Sequence, residues 1–198
     1  MFAIVESGSI TSMPSGNKGI TIGDNQYPAA IFSLWTEAER NAIGVYTVEI
    51  DYTNKKDEEY YVNTKITYAF SGGKVTGSYG TATAKAIADS DAVDEDGNKL
   101  KDENGNQIIN EGLKTIKKRI IDNECAGLLA PSDWMVIKAT ETGTTMDSGW
   151  KTWRASVRTK CNSMQTQIDN ASDVDALAAL YERNDSGVRP LGDFPIKE

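Results

Sequence analysis

The chain has 198 residues, of which 39% are hydrophobic and 25% charged, enough apolar material for one large domain or two small ones. Its 21 Lys and Arg against 29 Asp and Glu give a formal charge of −8, which argues against nucleic-acid binding, because phosphate contacts need a basic face. It has no histidine, so Ser-His-Asp and Cys-His catalysis, imidazole acid–base chemistry and His-containing zinc sites are excluded.

Residues 1–85 read as a small α+β domain. Phe2–Val5 is a short apolar stretch that stops at Glu6, before the turn Ser7-Gly8-Ser9; without a basic lead it does not read as a secretory signal. Thr36 and Glu39 stand at capping-box spacing and predict a short helix over Thr36–Ala42, ended by Gly44. Val45–Ile50 is rich in β-branched residues and predicts a strand. Lys65–Phe70, the turn Ser71-Gly72-Gly73-Lys74 and Val75–Tyr79 predict a hairpin, so a small antiparallel sheet is expected.

Residues 86–110 change character. Asp89, Asp91, Asp94, Glu95, Asp96, Asp102 and Glu103 face only Lys99 and Lys101, a net of −5, and large apolar residues are scarce. The segment reads as an acidic linker, an exposed loop or a hairpin. Asp94, Asp96, Gly97 and Glu103 match positions 3, 5, 6 and 12 of a calcium loop, and Asp102, Asn104, Gly105 and Glu111 match them again. Position 1 is Ala92 in one register and Leu100 in the other, so the first ligand is missing, and Asp-Gly-Asn and Asn-Gly-Asn are ordinary turn sequences.

Residues 111–182 read as a helical domain. Leu113, Ile116, Ile120 and Ile121 recur at helical spacing, with Leu128 and Leu129 beyond them and Pro131 closing the segment. Ser132-Asp133 then caps a short turn or helix carrying Trp134, Met135 and Ile137. Trp150, Trp153, Val157, Cys161, Met164 and Ile168 lie on one stripe of a helix from about Ser148 to Asp169. Packing of the first stripe on the second, with Trp134 at the closed end, makes a helical hairpin or bundle. Ser172 and Asp175 have capping-box spacing and open a last helix through Val174, Leu177, Leu180 and Tyr181. Residues 183–198 read as an extended tail.

No 18-residue apolar run is present. Cys125 and Cys161 make no disulfide framework, which fits a reducing compartment, and two cysteines cannot close a tetrahedral zinc site. No GxGxxG or GxxxxGK occurs. No pair among the carboxylates stands out, so no catalytic residue, cofactor or metal is assigned, and a carbohydrate-binding or carbohydrate-active domain lacks its signature. Lys151, Arg154 and Arg158 lie one turn apart on the striped helix, inside a region (113–160) with nine bases and five acids. They read either as a solvated face paired with local acids or as a docking face for an acidic partner. Trp134, Trp150 and Trp153 read as core anchors rather than as a ligand platform.

One segment carries a resemblance. Gly127-Leu128-Leu129-Ala130-Pro131-Ser132-Asp133-Trp134, then Lys138-Ala139-Thr140-Glu141-Thr142-Gly143, then Trp150-Lys151-Thr152-Trp153-Arg154-Ala155-Ser156-Val157-Arg158 follow the order L-x-x-[ST]-D-W … E-x-G … W-R-x-x-V-R. This resembles the C-terminal segment of bacteriophage tail proteins of the tail fibre assembly chaperone or fibre-associated type. Tyr27-Pro28-Ala29, Leu34-Trp35-Thr36 and Gly44-Val45-Tyr46 resemble the same group. The resemblance implies no catalysis and contacts with other tail proteins of the fibre or baseplate, with a homo-oligomer in a symmetric assembly as one form. It implies residence in the host cytoplasm during assembly, or retention in the virion tail, where a purely structural connector is the alternative role. In that setting Asp133 caps a helix, Trp134 anchors the hairpin, and Arg154 and Arg158 pair with Asp133, Glu141 or a partner.

Overall fold

A computed structural model describes residues 1–197 and has an α+β fold with a sheet in its N-terminal part and helices in its C-terminal part. The chain divides into two compact units, Met1–Thr83 and a second from Ala84 on.

The first unit contains β1 (Phe2–Glu6), β2 (Ser9–Ser12), β3 (Ile20–Ile22), β4 (Asn25–Tyr27), α1 (Ile31–Leu34), α2 (Glu37–Ala42), β5 (Val45–Asp51), β6 (Tyr61–Val62), β7 (Thr67–Ser71), β8 (Lys74–Ser78) and the start of β9 (Thr83–Ala84). Its main sheet has five strands in the order β2-β1-β5-β8-β7. The sheet is mixed, which corrects the expected small antiparallel one: β5 and β8 run parallel, with Val48 opposite Val75. The cause is topological. The chain leaves β5, crosses to the far edge for β7, and the tight Gly72-Gly73 hairpin returns β8 between them.

The capping box is formed: Thr36 Oγ1 accepts from Glu39 N–H, and the Glu39 carboxylate accepts from Thr36 N–H at 2.8 Å. Arg40 then lies over the Phe2 ring and donates to Trp35 O. Ile4, Ile31, Phe32 and Val45 form the core of this unit, ringed by Phe2, Tyr27, Trp35 and Ile43. The Tyr46 and Phe70 rings meet in tilted contact, with centroids 4.8 Å apart.

In the second unit, β10 (Ser90–Asp91) and β11 (Ile109–Asn110) lead into α3 (Leu113–Leu129). A single 3₁₀ turn at Ala130–Ser132 joins it to α4 (Asp133–Thr142), which ends at Gly143 in the left-handed conformation. Then come α5 (Ser148–Asn170) and α6 (Val174–Ala179). Helices α3 and α5 are antiparallel: Lys118 pairs with Asp169 at 2.8 Å near one end, and Arg154 donates to Leu129 O at 2.7 Å near the other. The buried stripe of α5 is Val157, Cys161, Met164 and Ile168, together with Arg154, as the periodicity predicts for the apolar members.

The stripe of α3 differs from the expected one. Leu113, Lys117, Ile121 and Cys125 are buried at a strict four-residue spacing, while Ile120 and Leu128 are exposed. Starting at Leu113, that spacing selects Lys117 over Ile116. Lys117 is accommodated because its ammonium sits 4.4 Å from the centre of the Tyr181 ring. The cap of α6 is Asp173, accepting from Ala176 N–H at 2.8 Å, one residue beyond the expected Ser172.

The tail is not simply extended. Leu191 is fully buried and donates to Leu180 O, Lys160 Nζ donates to Leu191 O, and Trp153 Nε1 donates to Pro195 O at 3.0 Å. Arg183 and Arg189 both clamp Asp193. An apolar side chain at residue 191 and a carboxylate at 193 give the segment a reason to fold back on α5 and α6.

Candidate functional site

The acidic segment forms a three-armed junction. Two arms are miniature hairpins closed by the bridges Val93–Lys99 and Lys101–Gln107, and the third is the β10–β11 ladder. At the centre, Leu100 N–H donates to Ala92 O (2.8 Å), Ile108 N–H to Leu100 O (2.9 Å) and Ala92 N–H to Ile108 O (2.8 Å). The three bonds close a ring with approximate threefold symmetry.

Its origin is an eight-residue repeat, Asp94-x-x-Gly97-Asn98 and Asp102-x-x-Gly105-Asn106. In each copy one Asp oxygen accepts two backbone N–H groups of its own turn, and the other accepts the Asn side-chain amide. Gly97 and Gly105 have φ of +85° and +83°, a region that other residues enter only with strain. These bonds hold both Asp carboxyls below their usual range; the Asn98 N–H is the largest cause for Asp94 and the Asn106 side chain for Asp102. Of the matched calcium positions, Asp94 and Asp102 are thus spent on the turns' own amides, and Glu111 pairs with Arg119 at 2.6 Å. The junction is pinned to the start of α3 at Gly112, whose N–H donates to Asp89 Oδ1 at 2.7 Å; a Cβ there would collide with the Ala88 backbone at 2.4 Å. Val93, Leu100 and Ile108 stand exposed around it.

At the opposite end of α3 lies α4. It buries none of its ten residues, and Trp134, Val136 and Ile137 are in water. It is fastened by Arg154, only 4% exposed, whose guanidinium donates to Leu129 O, to Ser132 Oγ and to Asp133 Oδ1 at 2.6 Å. Ser132 is fully buried and donates to Leu129 O, so one arginine gathers the end of α3, the 3₁₀ turn and the start of α4. Between α4 and the beginning of α5 are two clefts. One, of about 380 Å³, is lined by Trp134, Lys138, Met146 and Trp150 among others. The other, of about 370 Å³, is lined by Val136, Ala139, Thr140, Met146, Lys151, Arg154 and Arg158, with no carboxylate.

The expected site residues therefore separate. Lys151 and Arg158 are exposed and have no ion-pair partner among the described residues, whereas Arg154 is turned inward to Asp133. Asp133 is an anchor, though its carboxylate serves Arg154 and not a helix cap. Trp150 and Trp153 are half-buried anchors in edge-to-face contact at 5.6 Å. Trp134 is 55% exposed and is not an anchor, since α4 buries none of its residues, and Lys138 lies over its ring. The burial of Arg154 had one signal in the sequence, its place three residues before Val157 on the apolar stripe.

Cys125 and Cys161 are free and buried; desolvation, reinforced by neighbouring Cys125 and Asp122, pushes the Cys161 thiol up to about 12. Among the described residues no three His, Cys, Asp or Glu side chains gather where a metal ion could be held, and no helix is long and apolar enough to cross a membrane. No protein-family model, curated protein or solved structure matches this chain.

Proposed function

We propose that this chain is a non-enzymatic bacteriophage tail protein acting through protein–protein contacts in the tail fibre or baseplate system, as a fibre assembly factor or a fibre-associated virion protein. One observation carries the reading: α4 holds Trp134, Val136 and Ile137 in water beside a cleft edged by Lys151 and Arg158. An apolar face rimmed by unpaired charge is the anatomy of a surface that another protein covers. The positions that carry the resemblance, Asp133-Trp134, Arg154 and Arg158, are the ones that build and edge this face.

The test is affinity capture of the tagged chain from cells infected by its phage. Tail-fibre or baseplate proteins are expected with the parent and absent with Trp134→Ala/Ile137→Ser. Recovery of no tail protein overturns the proposal. A purely structural tail component repeated by symmetry is the second reading, favoured by the acidic junction at one end of the second unit and the unpaired Lys151 and Arg158 at the other. Stoichiometric copies in purified virions would support it, and absence from virions would favour the assembly factor.

A further inference from the structure

We infer that the second unit associates head to tail with another copy of itself, the three-armed junction of one copy docking on the α4–α5 cleft of the next. Two complementary surfaces motivate this. The junction presents Leu100 and Ile108 beside arm tips bearing Glu95, Asp96 and Glu103, exposed carboxylates that have no cation paired to them among the described residues and that outnumber the exposed Lys101. The cleft presents Val136 and Ala139 beside Lys151 and Arg158, exposed cations with no carboxylate in its lining. Each surface thus has an apolar centre and an unpaired rim, and the rims have opposite sign, the arrangement that steers and registers association.

Geometry makes the contact intermolecular. The junction is tied to the N-terminal end of α3 through Gly112, and α4 hangs from its C-terminal end through Leu129. Seventeen helical residues separate them, about 25 Å at 1.5 Å per residue. A rigid helix of that length keeps the two surfaces of one copy apart. Different patches meeting on successive copies make a heterologous contact, which closes into a ring or continues as a filament. The inference rests on residues 84–170 and stands whether or not the protein belongs to a phage tail.

The test is sedimentation of the full chain across a concentration series at low and high ionic strength. The parent should gain mass with concentration and lose it with salt, since such contacts are screened over about 8–10 Å at physiological ionic strength. Lys151→Glu/Arg158→Glu reverses the cleft, and Asp96→Lys/Glu103→Lys reverses the junction; each alone should be monomeric, with a melting temperature like the parent's. Mixed, they should associate again, because each supplies the complement of the other. A parent that stays monomeric under all conditions overturns the inference, as does self-association that survives either reversal. Capture of a different protein by the cleft of a monomeric parent also overturns it, and would leave the tail-protein proposal standing.

Discussion

Arg154→Ala is the sharpest probe of how the second unit holds α4. The guanidinium makes three charge-assisted hydrogen bonds, to Leu129 O, Ser132 Oγ and Asp133 Oδ1. Each such bond is worth about 1.5–3 kcal/mol where it is buried. The three do not simply add. Asp133 is 56% exposed on its side chain and regains water when the arginine leaves, so its share is small. Ser132 Oγ keeps its own 2.9 Å bond to Leu129 O, so that carbonyl is not orphaned. The expected loss is therefore nearer one strong bond than three, about 3 kcal/mol including the void left by the side chain. For a unit of this size that is about a 10 °C drop in melting temperature. Denaturant unfolding monitored by circular dichroism measures it, with amide exchange reporting faster opening across Asp133–Thr142. Arg154→Lys should recover part of the loss, because an ammonium lacks the planar fork. Arg158→Ala, on the exposed side of α5, should stay within about 0.5 kcal/mol of the parent. A loss below about 1 kcal/mol for Arg154→Ala would refute the role of Arg154 as the fastening of α4.

Three further outcomes are expected. Replacing residues 93–107 with a short Gly/Ser loop should leave the helical signal and melting temperature nearly unchanged, since the bonds to the start of α3 come from Ala86, Ile87 and Asp89, outside the replaced segment, and loop length costs about 0.6 kcal/mol per doubling; collapse of the unit would show that the junction is part of the core. Asp94 and Asp102 have folded values below their unfolded ones, so they add stability above about pH 4 that is lost as pH falls through the folded values; carboxyl carbon NMR should find both titrating below the ordinary Asp value of about 3.9, and midpoints at or above it would contradict the turn geometry. Cys161, raised to about 12, should resist alkylation in the folded protein, and stability should decline from about pH 9 upward, as the unfolded thiol ionises first; labelling at the rate of a free thiol would mean that the α3–α5 packing is wrong.

Patterns confined to a few neighbouring residues were legible in the sequence. Thr36 with Glu39 specified a capped helix, Ser71–Lys74 a tight hairpin, and the stripe from Val157 to Ile168 the buried face of α5, because these depend on local hydrogen bonding and helical periodicity. The eight-residue repeat at Asp94 and Asp102 was also legible as turns, but its three-armed closure was not. That closure needs Ala92, Leu100 and Ile108 to find one another, and no local rule announces a ring of three backbone bonds. The parallel pairing of β5 with β8 was hidden for the same reason, since register across a sheet is settled by where the connecting chain can run. Tertiary structure alone decided the fates of the charged and aromatic residues around α4. Arg154 and Arg158 are equivalent in type and one turn apart, yet one is buried because Leu129 O, Ser132 Oγ and Asp133 converge on it, and the other faces solvent. Trp134 is as apolar as Trp153, yet it stands 55% exposed on a helix that buries nothing, while Trp153 is half-buried and donates to Pro195 O. Periodicity states which residues share a face; only packing decides which face is covered.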